Sequence, residues 1–270
     1  MSSNIKDKLL RIQYLQDYII EQADKHDAYV TKQYFGIERR VVNESHFTAE
    51  IAELKKILIS IEFSPALCDQ FNQARERLVC TVNEIGSDLL SQIRLFEDLD
   101  LQQKLKLACD IARTFHELFF DFDYKYALPT IEFDPKAFTS LHRSFGLDDN
   151  SDYPISSRIR FSKNILGPDA QTHGFLNLVF HEACVHAPLY QLQQGFYYGH
   201  LPKDNKLYND AHLIHTYTSM GISPKFFISS IYPNFLEEKI AFFQSALFVK
   251  ALGLRTLGPE DDMILKSKNK

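Results

Sequence analysis

The chain has 270 residues, 45% hydrophobic content, 22 Phe and 13 Tyr, enough apolar bulk for one large or two modest domains that fold unaided. A net charge of −5 with dispersed basic residues leaves no electrostatic footprint for nucleic acid, whose binding needs clustered Lys and Arg. The one small basic run, Lys266, Lys268 and Lys270, reads as a solvated terminus.

Residues 1–8 are polar, and the apolar positions that follow alternate with Gln, Asp and Glu, so no signal-peptide core is present. No stretch reaches the roughly 20 apolar residues that a membrane helix needs. The expectation is a protein made in the cytoplasm, without membrane insertion, whose export would use a route with no cleaved N-terminal signal. Leu9, Leu10, Ile12, Tyr14, Leu15, Ile19 and Ile20 recur near helical spacing and predict a first helix. A second is predicted over 48–61. A third opens with Ser64 as N-cap and Pro65 in the first turn, with a pattern that continues to Phe96. A fourth covers 101–120. The four cysteines, Cys68, Cys80, Cys109 and Cys184, lack any C-x-x-C spacing and read as reduced thiols rather than a zinc ribbon or redox pair.

The texture changes after Tyr126. Residues 129–133 and the alternating run 157–165, with Ile159 and Phe161 set against Arg158, Arg160 and Ser162, predict short strands. Residues 146–156, rich in Asp, Asn, Ser and Pro, predict turns. Helical periodicity returns with Phe175, Leu176, Leu178, Val179 and Val185 on a segment running to Gln194, and further helices are predicted over 204–219 and 233–252, the last nearly apolar.

The informative string is Phe180-His181-Glu182-Ala183-Cys184-Val185-His186. Zinc takes neutral imidazoles and a carboxylate, with one position open for water when the site is catalytic. A neighbouring glutamate can then act as general base. In the common H-E-x-x-H form the histidines stand at i and i+4 on one helix face. Here they stand at i and i+5, about 140° apart on a regular α-helix, too far for one metal. The pair therefore predicts a one-residue π-bulge between His181 and His186, and Pro188 favours such a disruption by removing a donor and crowding the carbonyl of Cys184. Glu237 and Glu238 open a later helix and offer a third ligand.

The H-E-x-x-x-H string, followed 52 residues after His186 by the second member of a Glu-Glu pair, resembles the dipeptidyl peptidase III family of zinc peptidases. The resemblance covers the two motif segments and implies His181, His186 and Glu238 as zinc ligands and Glu182 as general base. More broadly, the run 159–164, then 176–186, then 234–244 with Glu238 and Ala241 in an E-x-x-A pattern, is similar to small bacterial gluzincin-like domains, some of which are toxins or secreted effectors. That similarity implies the same ligand set, and 158–165 as an edge strand that aligns an extended substrate.

Each motif also has a plainer account. His181 and His186 can be ordinary histidines of a half-buried helix, with Glu182 and His186 an i,i+4 pair. Glu237 and Glu238 suit the positive end of a helix dipole without any metal. His212 and His215, at i and i+3, read first as polar residues of an exposed face and second as alternative ligands or transition-state donors. Tyr217 and Tyr232 are candidate oxyanion donors. His116 lacks a second histidine at metal spacing and reads as structural, as does Cys184.

The fold class expected is α+β and mainly helical, with a helical N-terminal portion over 1–124 and a zincin-like catalytic portion with a small sheet over 125–270, able to form one compact unit. The function expected is that of a zinc-dependent hydrolase acting on peptide or protein substrates, with one Zn2+ per chain and Glu182 as base. The competing reading is a non-catalytic interaction protein on a degenerate zincin fold that binds no metal. A third is a helical metal-dependent oxidase using His212 and His215.

Overall fold

A computed structural model describes residues 3–34, 37–61, 65–122, 124–135, 141–144, 157–168, 170–219 and 236–254. The architecture is α+β and mainly helical, and the described residues form two small sheets. Among the described residues no helix is long and apolar enough to cross a membrane.

Helix α1 (Ser3–His26) buries Leu9, Ile12, Leu15, Ile19 and Ala23 along one stripe. It stops at Asp27, whose positive φ of 50° turns the chain while Ala28 donates back to the Ala23 carbonyl, a Schellman-type end. The chain then forms an antiparallel hairpin absent from the sequence expectation, β1 (Tyr29–Tyr34) against β2 (Ile37–Val42). Helix α2 (Thr48–Ile59) returns over α1 through Ile51, Leu54 and Leu58, and these elements share a small core with Val42, Phe47 and Leu213.

The helix predicted from Pro65 to Phe96 is two helices. α3 (Pro65–Asn83) ends before Gly86, whose φ of +83° is the left-handed conformation that glycine adopts without strain. Ser87 then caps α4 (Asp88–Arg94) by accepting from the Leu90 amide, and a 3-10 turn follows at Phe96–Asp98. The expected cap at Ser64 lies outside the described residues. α5 (Leu101–Phe119) opens on a capping box between Asp100 and Gln103 and buries Leu107, Ile111, Phe115, His116 and Phe119 on one face.

Strands β3 (Thr130–Asp134), β4 (Leu141–Ser144) and β5 (Ser157–Ser162) form one sheet in the order β3-β5-β4, with β5 parallel to β3 and antiparallel to β4. β5 is therefore the central strand, not the edge expected. Its alternation reflects one face, Ile159 and Phe161, buried against helices, and another where Arg158 and Arg160 pair with Glu132. Among the described residues the edges are β3 and β4. The predicted turn region, 146–156, lies outside the described residues.

After a single helical turn, α6 (Lys163–Leu166), the chain enters α7 (Thr172–Val179), continues without a break through a π-helical segment (Phe180–His186), and leaves as α8 (Ala187–Tyr197). α9 (Tyr208–Ser219) packs on α8, and α10 (Leu236–Ala251) packs on the π segment, α7 and α3. The larger core runs from Leu67 to Val249 and so draws on residues both before and after position 124. Its aromatic spine puts Phe180 between Phe115, at 5.1 Å, and Phe248, at 4.4 Å between ring centroids.

Polar contacts fix α10 in its first turn and at its middle. Arg75 of α3 donates to Asn72 and to the Gln244 side chain, Gln244 donates to Asn72 at 3.2 Å, and Lys239 donates to the Ile59 carbonyl at 3.1 Å at the end of α2. Those contacts set the rotation of α10 and hence the direction of its first turn.

Candidate metal centre

All seven residues of the π segment are buried. A segment buried on every side is positioned by its neighbours rather than by amphipathicity, and here α5, α7, α10 and β4 surround it. Hydrogen bonds from i+5 to i close a turn with one residue more than the α-helix, so the fifth residue onward stands above the first. The Ala187 amide accordingly donates to the Glu182 carbonyl, five residues back. His181 and His186 thereby project to the same side, and their Nε2 atoms come within 3.2 Å.

Glu238, in the first turn of α10, closes the site. Its Oε2 lies 3.4 Å from His181 Nε2 and its Oε1 lies 3.3 Å from His186 Nε2. The three side chains together could hold a metal ion, with their ligand atoms all within 4.8 Å of one another. Each residue is less than a tenth exposed, at 7% for His181, 9% for His186 and 8% for Glu238. Phe242, one turn beyond Glu238, sets its ring 4.7 Å from that of His181 and closes one side, and Ala241 is wholly buried where α10 meets the π segment.

Two imidazole nitrogens and a carboxylate directed at one point need a positive charge between them. In the metal-free protein a proton supplies it. Burial drives His186 toward its neutral form, but its hydrogen bond to Glu238 and the charges of Glu238, Glu182 and Glu237 outweigh burial and raise its pKa to about 9. For Glu238, burial pushes the carboxyl up, and the hydrogen bonds from His181 and His186 with their charge hold it well below the usual carboxylate range. Glu182, also buried, is close enough for its charge to act on His186.

Glu237 does not point at the same place. Its Oε2 stands 4.0 Å from Nδ1 of His186, the nitrogen on the far side of the ring, and its Oε1 accepts from Gln193 Nε2. That is the position of an outer partner that orients a ligating histidine. Gln193 carried no signal in the sequence, because a glutamine two turns beyond the motif is ordinary.

His212 lies on α9 with its ring 4.6 Å from Phe196, and among the described residues no metal-holding group of three contains it. His215 and Tyr217 share α9, and Tyr232 lies outside the described residues, as do the side chains of His215 and Tyr217. Comparison with protein families, with curated proteins and with solved structures returns no match to this chain.

Proposed function

We propose that this protein is a zinc-dependent hydrolase of the metallopeptidase type, with His181, His186 and Glu238 as ligands and Glu182 as general base. The observation that carries the reading is the spacing of the donors. Tetrahedral ligands at zinc bond lengths of ~2.0–2.1 Å stand about 3.3 Å apart. The two Nε2 atoms are 3.2 Å apart, close to that distance, and the Glu238 carboxylate meets each through its own oxygen, Oε1 at 3.3 Å from His186 and Oε2 at 3.4 Å from His181, so that one donor atom from each residue lies within 4.8 Å of the others. A His2Glu set fits zinc, and three protein ligands leave one of four positions open, the arrangement of catalytic rather than structural zinc. The resemblance of the two motif segments to dipeptidyl peptidase III implies the same residues.

Zinc in such a site supplies Lewis acidity toward a carbonyl and lowers the pKa of water to near neutrality. The chain supplies the rest. Glu182, adjacent to His181 and buried in the π segment, accepts a proton from the attacking water and returns it to the leaving amine. Glu237, anchored by a hydrogen bond from Gln193, stands 4.0 Å behind the His186 ring at Nδ1. β4, which among the described residues pairs with β5 alone, runs beside the π segment and offers main-chain groups on its open side to an extended peptide.

Metal analysis of untagged protein, paired with cleavage of a mixed peptide pool followed by mass spectrometry, tests the reading. One zinc per chain is expected, with Glu182→Gln retaining zinc while turnover drops about 10²–10⁴-fold. Protein that takes up no zinc after reconstitution, or Glu182→Gln cleaving at the wild-type rate, rejects it.

A further inference from the structure

A helix that changes register leaves a carbonyl unmatched, and in this chain that carbonyl belongs to Ala183. In an α register it would accept from the Ala187 amide, but that amide is committed to the Glu182 carbonyl. In a π register it would accept from residue 188, and residue 188 is proline, which has no N–H. The acceptor is nonetheless satisfied, because His116, reaching across from α5, places its Nε2 2.9 Å from the Ala183 oxygen.

We propose that His116 is a positioning residue for the metal centre, holding the segment Phe180–His186 in the π register by donating its Nε2 proton to the Ala183 carbonyl. The inference rests on reading His181, His186 and Glu238 as a metal site, and extends it to a residue 65 positions before His181 in the chain.

Three further observations support this role. His116 is wholly buried, on the face of α5 that also carries Phe115 and Phe119, so its ring is held by the core. Burial pushes its pKa down to about 4, against an opposing effect of the bond to Ala183, so the ring is neutral at pH 7 and can carry its one proton on Nε2. Its Nδ1 has no hydrogen-bond partner among the described residues. A buried ring with an unpaired nitrogen is a poor core filler, since phenylalanine would occupy comparable space without that cost. The imidazole offers what phenylalanine lacks, a donor aimed at the one carbonyl that the change of register strands. Without that donor the Ala187 amide is drawn back to Ala183, the segment tends to the α register, and His181 and His186 swing to about 140° apart.

The test compares wild type, His116→Phe and His116→Gln, the last because a glutamine amide can reach the same carbonyl. Zinc dissociation constants are measured by chelator competition at 25 °C, beside thermal midpoints. In His116→Phe, still folded at that temperature, zinc affinity is expected to fall roughly 10–100-fold, the range seen when outer partners of metal ligands are removed. His116→Gln is expected to recover most of it. A core-filling role would lower the midpoint and leave the zinc affinity of the folded protein unchanged, which would overturn the proposal. Imidazole ¹⁵N NMR of the metal-free wild type needs no variant and no metal: His116 should appear as the neutral Nε2–H tautomer at pH 7. A proton on Nδ1 instead would overturn the proposal even if zinc binds. The expected tautomer in a protein that refuses zinc would sink the metal reading and leave the register lock standing.

Discussion

Replacing Glu238 by Gln in the metal-free protein probes the site through stability alone. The substitution keeps the shape of the side chain and removes the charge that His181 and His186 face. In the wild type, His186 moves from an unfolded value near 6.5 to about 9 in the folded state. A raised folded pKa stabilises the protein fully below 6.5, progressively less between 6.5 and about 9, and not at all above. At about 1.4 kcal/mol per pKa unit the ion pair contributes on the order of 3 kcal/mol at pH 6. The depressed Glu238 carboxyl describes the same pair from the other side, so it is counted once. Its own contribution is present above about pH 4.5 and lost only on further acidification, which leaves the range from pH 6 to 9.5 to report on His186. Urea unfolding of both proteins in EDTA should show Glu238→Gln less stable by about 2–3 kcal/mol at pH 6, with the gap closing toward pH 9. A gap that stays constant or widens with pH would refute the arrangement of charge described here.

Zinc must displace the His186 proton, so zinc affinity should tighten nearly tenfold per pH unit between pH 6.5 and 8 and level off near 9; a flat profile by competition titration would exclude His186 as a ligand. Glu238→Ala should abolish tight zinc binding, whereas Glu237→Ala, which removes the partner of His186 Nδ1, should weaken it about 10–100-fold, as calorimetric titration of the two variants would show. Gly195→Ala should destabilise the chain by about 2–4 kcal/mol in urea, where an open helical site would gain about 1. Its new Cβ would fall on the buried Tyr124 phenol, 2.8 Å from two ring carbons, and break the bond from Tyr124 to the Gln191 carbonyl.

The helices were legible where one face was buried and the other wet. α2 and α5 appear within two residues of their expected bounds because Ile51, Leu54 and Leu58, and Leu107, Ile111 and Phe115, keep a clean 3–4 spacing. The same periodicity misled between α3 and α4, where Leu89 and Ile93 stay in phase with Leu78 and Val82 although the chain has turned at Gly86. The β1–β2 hairpin was hidden by its charges. Lys32, Glu38, Arg39 and Arg40 interrupt the β-branched residues of a ribbon whose buried anchors are Val41 and Val42. β5 could be recognised from its alternation, but strand neighbours are long-range choices that alternation does not encode, and its central place followed from pairing with β3 and β4.

At the site, residue types and spacing point to His181, His186 and the Glu237–Glu238 pair, the resemblance to dipeptidyl peptidase III selects Glu238, and the structure brings these three side chains together where they could hold a metal ion. What spacing could not supply was the relation between α10 and the π segment, which is set by Phe180 against Phe248 and by the clamps at Arg75 and Lys239. In the sequence His116 has no second histidine at metal spacing and reads as structural. Its role lies in a hydrogen-bond deficit elsewhere in the chain. Two histidines at i and i+5 require an extra residue in the turn, that residue displaces the amide that would have served Ala183, and Pro188 removes the next donor in line. A buried carbonyl stranded in this way must find a donor from another element. The motif and its proline thus imply an unnamed partner, and the packing of α5 supplies it as His116.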